Sequence, residues 1–161
     1  MNRKEVTASL AARTEKYIDP NNDPRIYWAK EVTFDYATTN AARVDYMQFK
    51  PRNNSVSGIE AGAFYCFEIK SSVEDFHSKH GHNFIGDYNY YVMTEDVFLS
   101  VERAIPYAVG VLVPNNIDSL YVVKKADRKD RCRSVSDMLM MMWRSSRREL
   151  VKLRRTDRTD Q

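Results

Sequence analysis

Apolar residues recur with two different periods along this chain, and these periods divide it into strands and helices. The segment 26–36 alternates with the period of two that is typical of a half-buried strand. Trp28, Val32 and Phe34 fall on its apolar face. Glu31 falls on the opposite face. Similar alternation, or a short apolar run, predicts five further strands, at 43–49, 62–70, 87–93, 107–113 and 120–124.

Helices are predicted where apolar positions recur every three to four residues, and two of them begin at a capping serine. They cover 4–18, 72–80, 94–103 and 134–155. Ser72 with Asp75, and Ser134 with Asp137, have the spacing of a side-chain cap. The Asn- and Ser-rich segment 51–58 is expected to be a hairpin loop. This order predicts an α/β fold, with a mixed β-sheet flanked by helices, in one domain of residues 1–155 followed by a frayed tail at 156–161.

Composition narrows the functional classes. No apolar run is long enough to span a bilayer, and the first ten residues lack the apolar segment of a signal peptide. We therefore expect a cytoplasmic protein with no membrane partner. Cys66 and Cys132 lie far apart and form no CxxC pair, so no disulfide is expected in a reducing compartment.

The net charge of +3 is distributed unevenly along the chain. Residues 1–123 carry −4, residues 124–155 carry +8, and the last six residues carry −1. A basic C-terminal segment favours a polyanionic partner such as nucleic acid. The alternative is an ordinary solvated helix face.

Two predicted neighbouring strands carry the residues with the most specific chemistry. Glu68 and Lys70 share a face of the strand at 62–70, and Ile69 points to the opposite, apolar side. If this strand pairs with the preceding one, Asp45 lies beside Glu68. Two adjacent carboxylates repel each other unless a cation lies between them, and Mg²⁺ or Mn²⁺ with oxygen ligands suits that position. The backbone carbonyl of Ile69 is a further candidate ligand, and the alternative is a plain Glu–Lys pair at the end of a strand.

The run V-D-Y, a hairpin, and then C-F-E-I-K-S-S-V-E-D-F closely resembles the PD-(D/E)XK nuclease superfamily. It is most similar to the small MmcB-type DNA-repair proteins of that superfamily, over roughly residues 26–115. Val44 stands where proline often precedes the aspartate. The resemblance implies a restriction-endonuclease-like fold and metal-dependent DNA cleavage. It implies catalytic roles for Asp45, Glu68 and Lys70.

Further candidate residues surround this set. Some members of the superfamily use an additional acidic residue, for which Glu31 is the first candidate, ahead of Glu5 and Glu15. His77, His80 and His82 do not have the spacing of a structural zinc site, and exposed positions are expected for them. Cationic side chains expected to contact nucleic acid are Lys79, Arg144, Arg147 and Arg148.

Three functional hypotheses follow from these residues. The first is a metal-dependent deoxyribonuclease acting in repair, recombination or a mobile element, with DNA as partner and a homodimer left open. The second is a nucleic-acid-binding module on the same fold that does not cut. The third is an interaction protein that binds its partner through the Met- and Arg-rich final helix. The DNA structure, and endonuclease against exonuclease action, stay open at this point.

Overall fold

The computed structural model describes residues 1–159. Its helices are α1 (Arg3–Ile18), α2 (Val56–Glu60), α3 (Val73–Phe76), α4 (Glu95–Val101) and α5 (Val135–Thr159), with a 3₁₀ turn (Glu102–Ala104) after α4. Its strands are β1 (Tyr27–Phe34), β2 (Ala42–Lys50), β3 (Ala63–Ile69), β4 (Tyr88–Val92), β5 (Gly110–Pro114) and β6 (Leu120–Lys124).

The strands form one six-stranded mixed sheet in the order β1-β2-β3-β4-β5-β6. Strands β1 to β3 are antiparallel neighbours, β3 to β5 are parallel, and β6 is antiparallel to β5. The predicted α/β fold, a single domain with a mixed sheet flanked by helices, is therefore confirmed.

Both faces of the sheet are covered by helices. Met138 and Met142 of α5 pack on one face, in a cluster with Val44 and Met47 of β2. The short helices α3 and α4 contribute to a second cluster, which includes Tyr91 of β4. On the opposite face, α1 packs against the sheet through residues such as Leu10. The sheet therefore has covered faces, and the two edges are β1 and β6.

The alternation predicted for the first strand is correct only in part. Val32 and Phe34 pack toward α5, but Trp28 packs in the cluster on the α1 side. The cause is Glu31, whose backbone has a φ of +52° in the middle of β1. That left-handed residue shifts the alternation by one position, while the pairing of β1 with β2 keeps the same register on both sides of it.

Two predicted segments have different structures from those expected. The hairpin loop at 51–58 ends in the short helix α2, because Ser55 Oγ accepts a hydrogen bond of 3.0 Å from the Gly58 N–H. The helix predicted to reach residue 80 ends at Phe76. There the Ser78 N–H and hydroxyl both bond to the Asp75 carbonyl, at 3.2 and 2.8 Å, so the chain turns away.

Boundaries also differ toward the C-terminus. The fifth strand begins at Gly110 rather than at Tyr107, since the Val109 N–H closes a turn onto the Pro106 carbonyl at 3.0 Å. Helix α5 has the predicted Ser134 cap and continues through Thr159. The tail expected to fray from residue 156 is thus helical to 159, and residues 160–161 lie outside the described range.

No helix within residues 1–159 has both the length and the apolar character needed to cross a bilayer.

Candidate active site

The pairing of β2 with β3 brings Asp45 and Glu68 together. Tyr46 lies opposite Phe67 in the antiparallel register, and one further step along both strands puts Asp45 opposite Glu68. At this point Asp45 Oδ2 accepts a hydrogen bond of 2.9 Å from the Ile69 N–H. The Asp45 side chain is therefore fixed against the end of β3.

Glu68 continues the buried face of β3 that begins with Phe64 and Cys66. Only 4% of Glu68 is exposed to solvent. Its Oε1 accepts a hydrogen bond of 3.4 Å from Asn83 Nδ2, which also donates to the Arg43 carbonyl at 2.8 Å. Asn83 thus connects the Glu68 carboxyl to the start of β2.

The two carboxyl groups affect each other's ionisation. Burial, followed by the negative charge of Asp45, raises the pKa of Glu68 to about 8. Burial also raises the pKa of Asp45, although the hydrogen bond from the Ile69 N–H lowers it. A side-chain hydrogen bond with Glu68 also lowers the pKa of Asp45, but the effect of burial is larger. The two carboxyl groups therefore lie in surroundings that disfavour their charged forms, and Glu68 is affected by the charge of Asp45 as well as by burial.

Lys70 is the third member of this group and is 2% exposed. Its ammonium donates a hydrogen bond to the His80 carbonyl and lies 3.5 Å from the Asp75 carbonyl. Burial lowers the pKa of Lys70, and the negative charges of Asp75, Glu68 and Asp45 oppose that effect. The buried ammonium is therefore held by carbonyl oxygens of the loop after α3.

Gly81 closes the site above the lysine. Its φ is +69°, which glycine adopts without the steric cost of a side chain. A Cβ at this position would lie 2.8 Å from Lys70 Nζ and 3.3 Å from Glu68 Oε2. The backbone can approach both charged groups only because residue 81 has no side chain.

Asp75 supports the loop that carries these carbonyl groups. Its Oδ2 accepts hydrogen bonds from the Ser71 N–H at 2.9 Å and the Ser71 hydroxyl at 3.0 Å. Its Oδ1 forms an ion pair of 3.0 Å with Arg3 of α1. The predicted cap is also present, since the Asp75 N–H donates to Ser72 Oγ at 3.1 Å.

Asp45, Glu68 and Lys70 line a cleft of about 880 Å³. Its wall includes four other cationic side chains, Arg3, Lys30, Arg43 and Lys79. Arg3 and Lys30 form ion pairs with Asp75 and Glu15. In the described part of the chain, Arg43 and Lys79 make no ion pair. The cleft therefore combines a small acidic centre with a cationic wall.

The structure does not bring the additional acidic candidates into the pair. Glu31 lines the same cleft but is exposed, and its Oε2 lies 3.9 Å from Lys152 of α5. Glu5 caps α1 by accepting a hydrogen bond from the Asn2 N–H, and Glu15 accepts one from the Tyr46 hydroxyl. Across residues 1–159, no three His, Cys, Asp or Glu side chains form a group that could hold a metal ion.

The predicted nucleic-acid contacts occupy two places. Lys79 lies in the cleft wall. Arg144, Arg147 and Arg148 lie on α5 and line a separate groove of about 570 Å³. Arg148 Nη2 donates to the Glu31 carbonyl at 2.8 Å, so the helix is attached to β1 beside the cleft.

His82 has a defined role in the loop after α3. Its Nε2 lies 2.9 Å from the Ser78 carbonyl, which can only accept, so Nε2 carries the proton in the neutral ring. Its Nδ1 then accepts from the buried Tyr91 hydroxyl at 2.6 Å. These bonds hold the loop over β4 next to the acidic pair, and the expectation of an exposed side chain does not hold for His82.

Sequence reasoning missed Gly81, the carbonyl groups that hold Lys70, and the side-chain link made by Asn83. For Gly81 the sequence did contain a signal, because a lone glycine among polar residues in the segment K-H-G-H-N indicates a backbone turn after the predicted helix. Nothing in the spacing indicated that this loop would fold back over Lys70.

Comparisons with known proteins add information on the fold. No family model matches the chain, and no curated protein matches it significantly. The structure is similar to that of a protein of unknown function from Silicibacter pomeroyi, with a TM-score of 0.65 and 17% sequence identity. The similarity covers 98% of this chain and 94% of that one. At this identity the similarity concerns the fold alone.

Proposed function

We propose that this protein is a metal-dependent nuclease that cleaves DNA phosphodiester bonds in the cytoplasm. In this proposal Asp45 and Glu68 bind Mg²⁺ or Mn²⁺, and Lys70 assists cleavage. The observation that carries the proposal is the meeting of a buried carboxyl group (Glu68), a partly buried one (Asp45) and a buried ammonium (Lys70) in one cleft. A purely structural role would not require two acids to face each other at a cost in stability.

The donor set fits a hard divalent cation. The Asp45 and Glu68 oxygens are of the type that Mg²⁺ and Mn²⁺ bind, and the Ile69 carbonyl is a further candidate oxygen. The raised pKa of Glu68 indicates that the pair favours a positive species between the two groups. When bound, such an ion polarises a phosphate oxygen and lowers the pKa of a coordinated water.

Lys70 is suited to stabilise negative charge on a phosphate group. An ammonium has three donors, and the carbonyl groups of His80 and Asp75 engage one side of it. Lys70 lines the same cleft as Glu68, so its remaining donor capacity is available to a group bound there. A fixed ammonium in a largely water-excluded position stabilises developing charge more strongly than a mobile one at the surface.

The cationic cleft wall supports a polyanionic substrate. Arg43 follows directly after the first residue of β2, is exposed, and makes no ion pair within residues 1–159. Lys79 is likewise exposed in the cleft wall. Contacts from these two side chains to phosphates would position the strand over the acidic pair.

Incubation of the full chain with supercoiled, linear duplex and single-stranded DNA in Mg²⁺ or Mn²⁺ tests the proposal. We expect cleavage that EDTA abolishes. Asp45→Asn, Glu68→Gln and Lys70→Met should each reduce it at least about 100-fold. Glu31→Gln should reduce it far less, because that side chain is exposed and paired with Lys152.

Two outcomes would contradict the nuclease assignment. The first is no EDTA-sensitive cleavage of any DNA form by the folded wild-type protein. The second is cleavage that survives in all three variants of the site. Salt-dependent DNA binding without cleavage would instead identify a non-cutting nucleic-acid-binding module on this fold.

A further inference from the structure

Helix α5 has two halves with different surroundings. In the first half, Met138, Met142 and Ser145 are buried against the sheet. In the second half, Leu150, Leu153 and the basic side chains are exposed. The helix has 25 residues, which corresponds to a length of about 37 Å at 1.5 Å per residue. Its second half therefore forms an extended surface beside the cleft.

The basic residues on this surface fall into two groups. Arg148 and Lys152 are engaged by Glu31, and Lys152 also pairs with Glu149 at 2.8 Å. Arg144 and Arg147 are exposed and have neither an ion pair nor a hydrogen bond within residues 1–159. Between 144 and 158 there are seven basic and two acidic side chains. This excess of positive charge favours an anionic partner.

Trp143 lies at the start of the basic half and is 65% exposed. In the described part of the chain its indole N–H has no hydrogen-bond partner. The ring lines the basic groove with Arg144 and Arg147, and it also lines an apolar groove of about 680 Å³ with Tyr27 and Met140. An exposed indole that shares a groove with free guanidinium groups offers both a stacking surface and phosphate contacts.

We propose that Trp143, Arg144 and Arg147 bind a single strand of nucleic acid, with one base stacked on the indole and adjacent phosphates on the guanidinium groups. Only unpaired nucleotides expose the faces of their bases, whereas a duplex hides them in its stack. The inference rests on the proposed function for its substrate, a DNA with an unpaired strand or end. Arg148 and Lys152 attach this helix to Glu31, which lines the cleft, so the proposed strand would follow a helix fixed to the cleft wall.

A second copy of the chain suits this surface less well. Two such helices would bring their excess positive charges together, and this repulsion opposes association at low salt. A single strand supplies the opposite charge and releases counterions on binding. Added salt should therefore weaken the binding of a single strand but strengthen self-association of the chain.

The test uses full-length protein carrying Glu68→Gln, in EDTA, so that binding is measured without cleavage. We expect an oligothymidine of about 20 nucleotides to quench tryptophan emission and to bind at least about tenfold more tightly than a blunt duplex of the same length. Quenching should persist in Trp28→Phe, because Trp28 is partly buried against Tyr46. Loss of the signal in Trp143→Phe would assign it to Trp143.

Matched variants separate stacking from charge. Trp143→Ala should weaken single-strand binding about 5- to 100-fold, whereas Trp143→Phe should stay within about threefold. Arg144→Ala with Arg147→Ala should weaken binding about tenfold and reduce the salt slope by about one. Arg103→Ala with Lys125→Ala removes the same charge from exposed positions away from α5, and should change affinity less than about twofold.

Equal affinity for duplex and single strand, unaffected by Trp143→Ala, would overturn the inference. The inference would also be overturned if the protein formed a dimer whose association becomes tighter with added salt and is lost in Trp143→Ala. Because Glu68→Gln in EDTA needs no catalysis, Trp143-dependent binding without any nuclease activity in the wild type would refute only the proposed function. Cleavage without that binding would refute only this inference.

Discussion

Replacing Glu68 by Gln should change how the stability of the folded protein depends on pH. Glutamine keeps the size and the hydrogen-bonding capacity of the protonated side chain, but it cannot ionise. The wild-type carboxyl is buried and faces Asp45, so the folded state disfavours its charged form. The unfolded chain imposes no such restriction, and folding is therefore linked to the proton on Glu68.

The sign and size of the effect follow from the pKa of Glu68 in the two states. It is about 8 in the folded protein, against an ordinary value of 4.5. Below pH 4.5 the group is protonated in both states and the free energy of unfolding is unaffected. Between 4.5 and about 8 unfolding releases a proton, so stability falls as pH rises. At about 1.4 kcal/mol per pH unit, the loss reaches at most about 5 kcal/mol.

Urea denaturation of both proteins in EDTA, at intervals from pH 5 to about 9, measures this loss. The free energies of unfolding should be similar at low pH and diverge as pH rises, with Glu68→Gln the more stable at pH 9. Glu31→Gln is the matched control, since its exposed side chain pairs with Lys152 at 3.9 Å and should add no such divergence. A difference between wild type and Glu68→Gln that stays constant across the range would refute the buried, proton-linked pair.

Two further predictions concern the support of the sheet and the site. Gly81→Ala should cost about 1–2 kcal/mol because of its φ of +69°. It should also reduce the rate of cleavage up to about 100-fold, because the new Cβ would lie only 2.8 Å from Lys70 Nζ and would displace the ammonium. An unchanged kcat and an unchanged urea midpoint would contradict this prediction. Asp87→Asn should lower the free energy of unfolding by about 3 kcal/mol, because the largely buried Arg131 loses its charge partner. In the wild type Arg131 Nε lies 3.3 Å from Asp87 Oδ1. Asp118→Asn, at an exposed pair, should cost under about 1 kcal/mol, and equal urea midpoints for the two variants would contradict the buried-pair argument.

Hydrophobic periodicity was sufficient to predict where the strands lie, but not to predict the face of the sheet on which every side chain packs. Each of the six strands has a counterpart in the sequence pattern, because period-two alternation reflects burial on one side of a sheet. The pattern failed at Trp28, since a single left-handed residue, Glu31, reverses the orientation of everything before it. Composition at that point gives no sign of such a residue, because the left-handed conformation of Glu31 depends on its surroundings in the fold and not on its residue type.

The candidate site was predictable to the extent that it depends on strand register. A hairpin between two strands places Asp45 opposite Glu68, and alternation places Lys70 on the side of Glu68. The carbonyl groups of His80 and Asp75 could not be predicted in the same way. Their positions depend on the path of an irregular loop, which is fixed by contacts such as that of His82 with Tyr91 rather than by a local pattern.

Two buried carboxyl groups in this sheet show how a structural acid differs from a functional candidate. Asp87 accepts a hydrogen bond of 2.8 Å from the Phe64 N–H and pairs with Arg131, so its charge is compensated by neighbours that the fold supplies. Glu68 faces another acid, and its pKa is raised to about 8 because its surroundings disfavour its charge. A protein selected for stability alone would lose nothing by replacing such a group with an apolar residue. The stability cost at Glu68 therefore supports the proposed divalent cation, whose charge would relieve that cost and whose preference for oxygen ligands matches the Glu68 and Asp45 side chains.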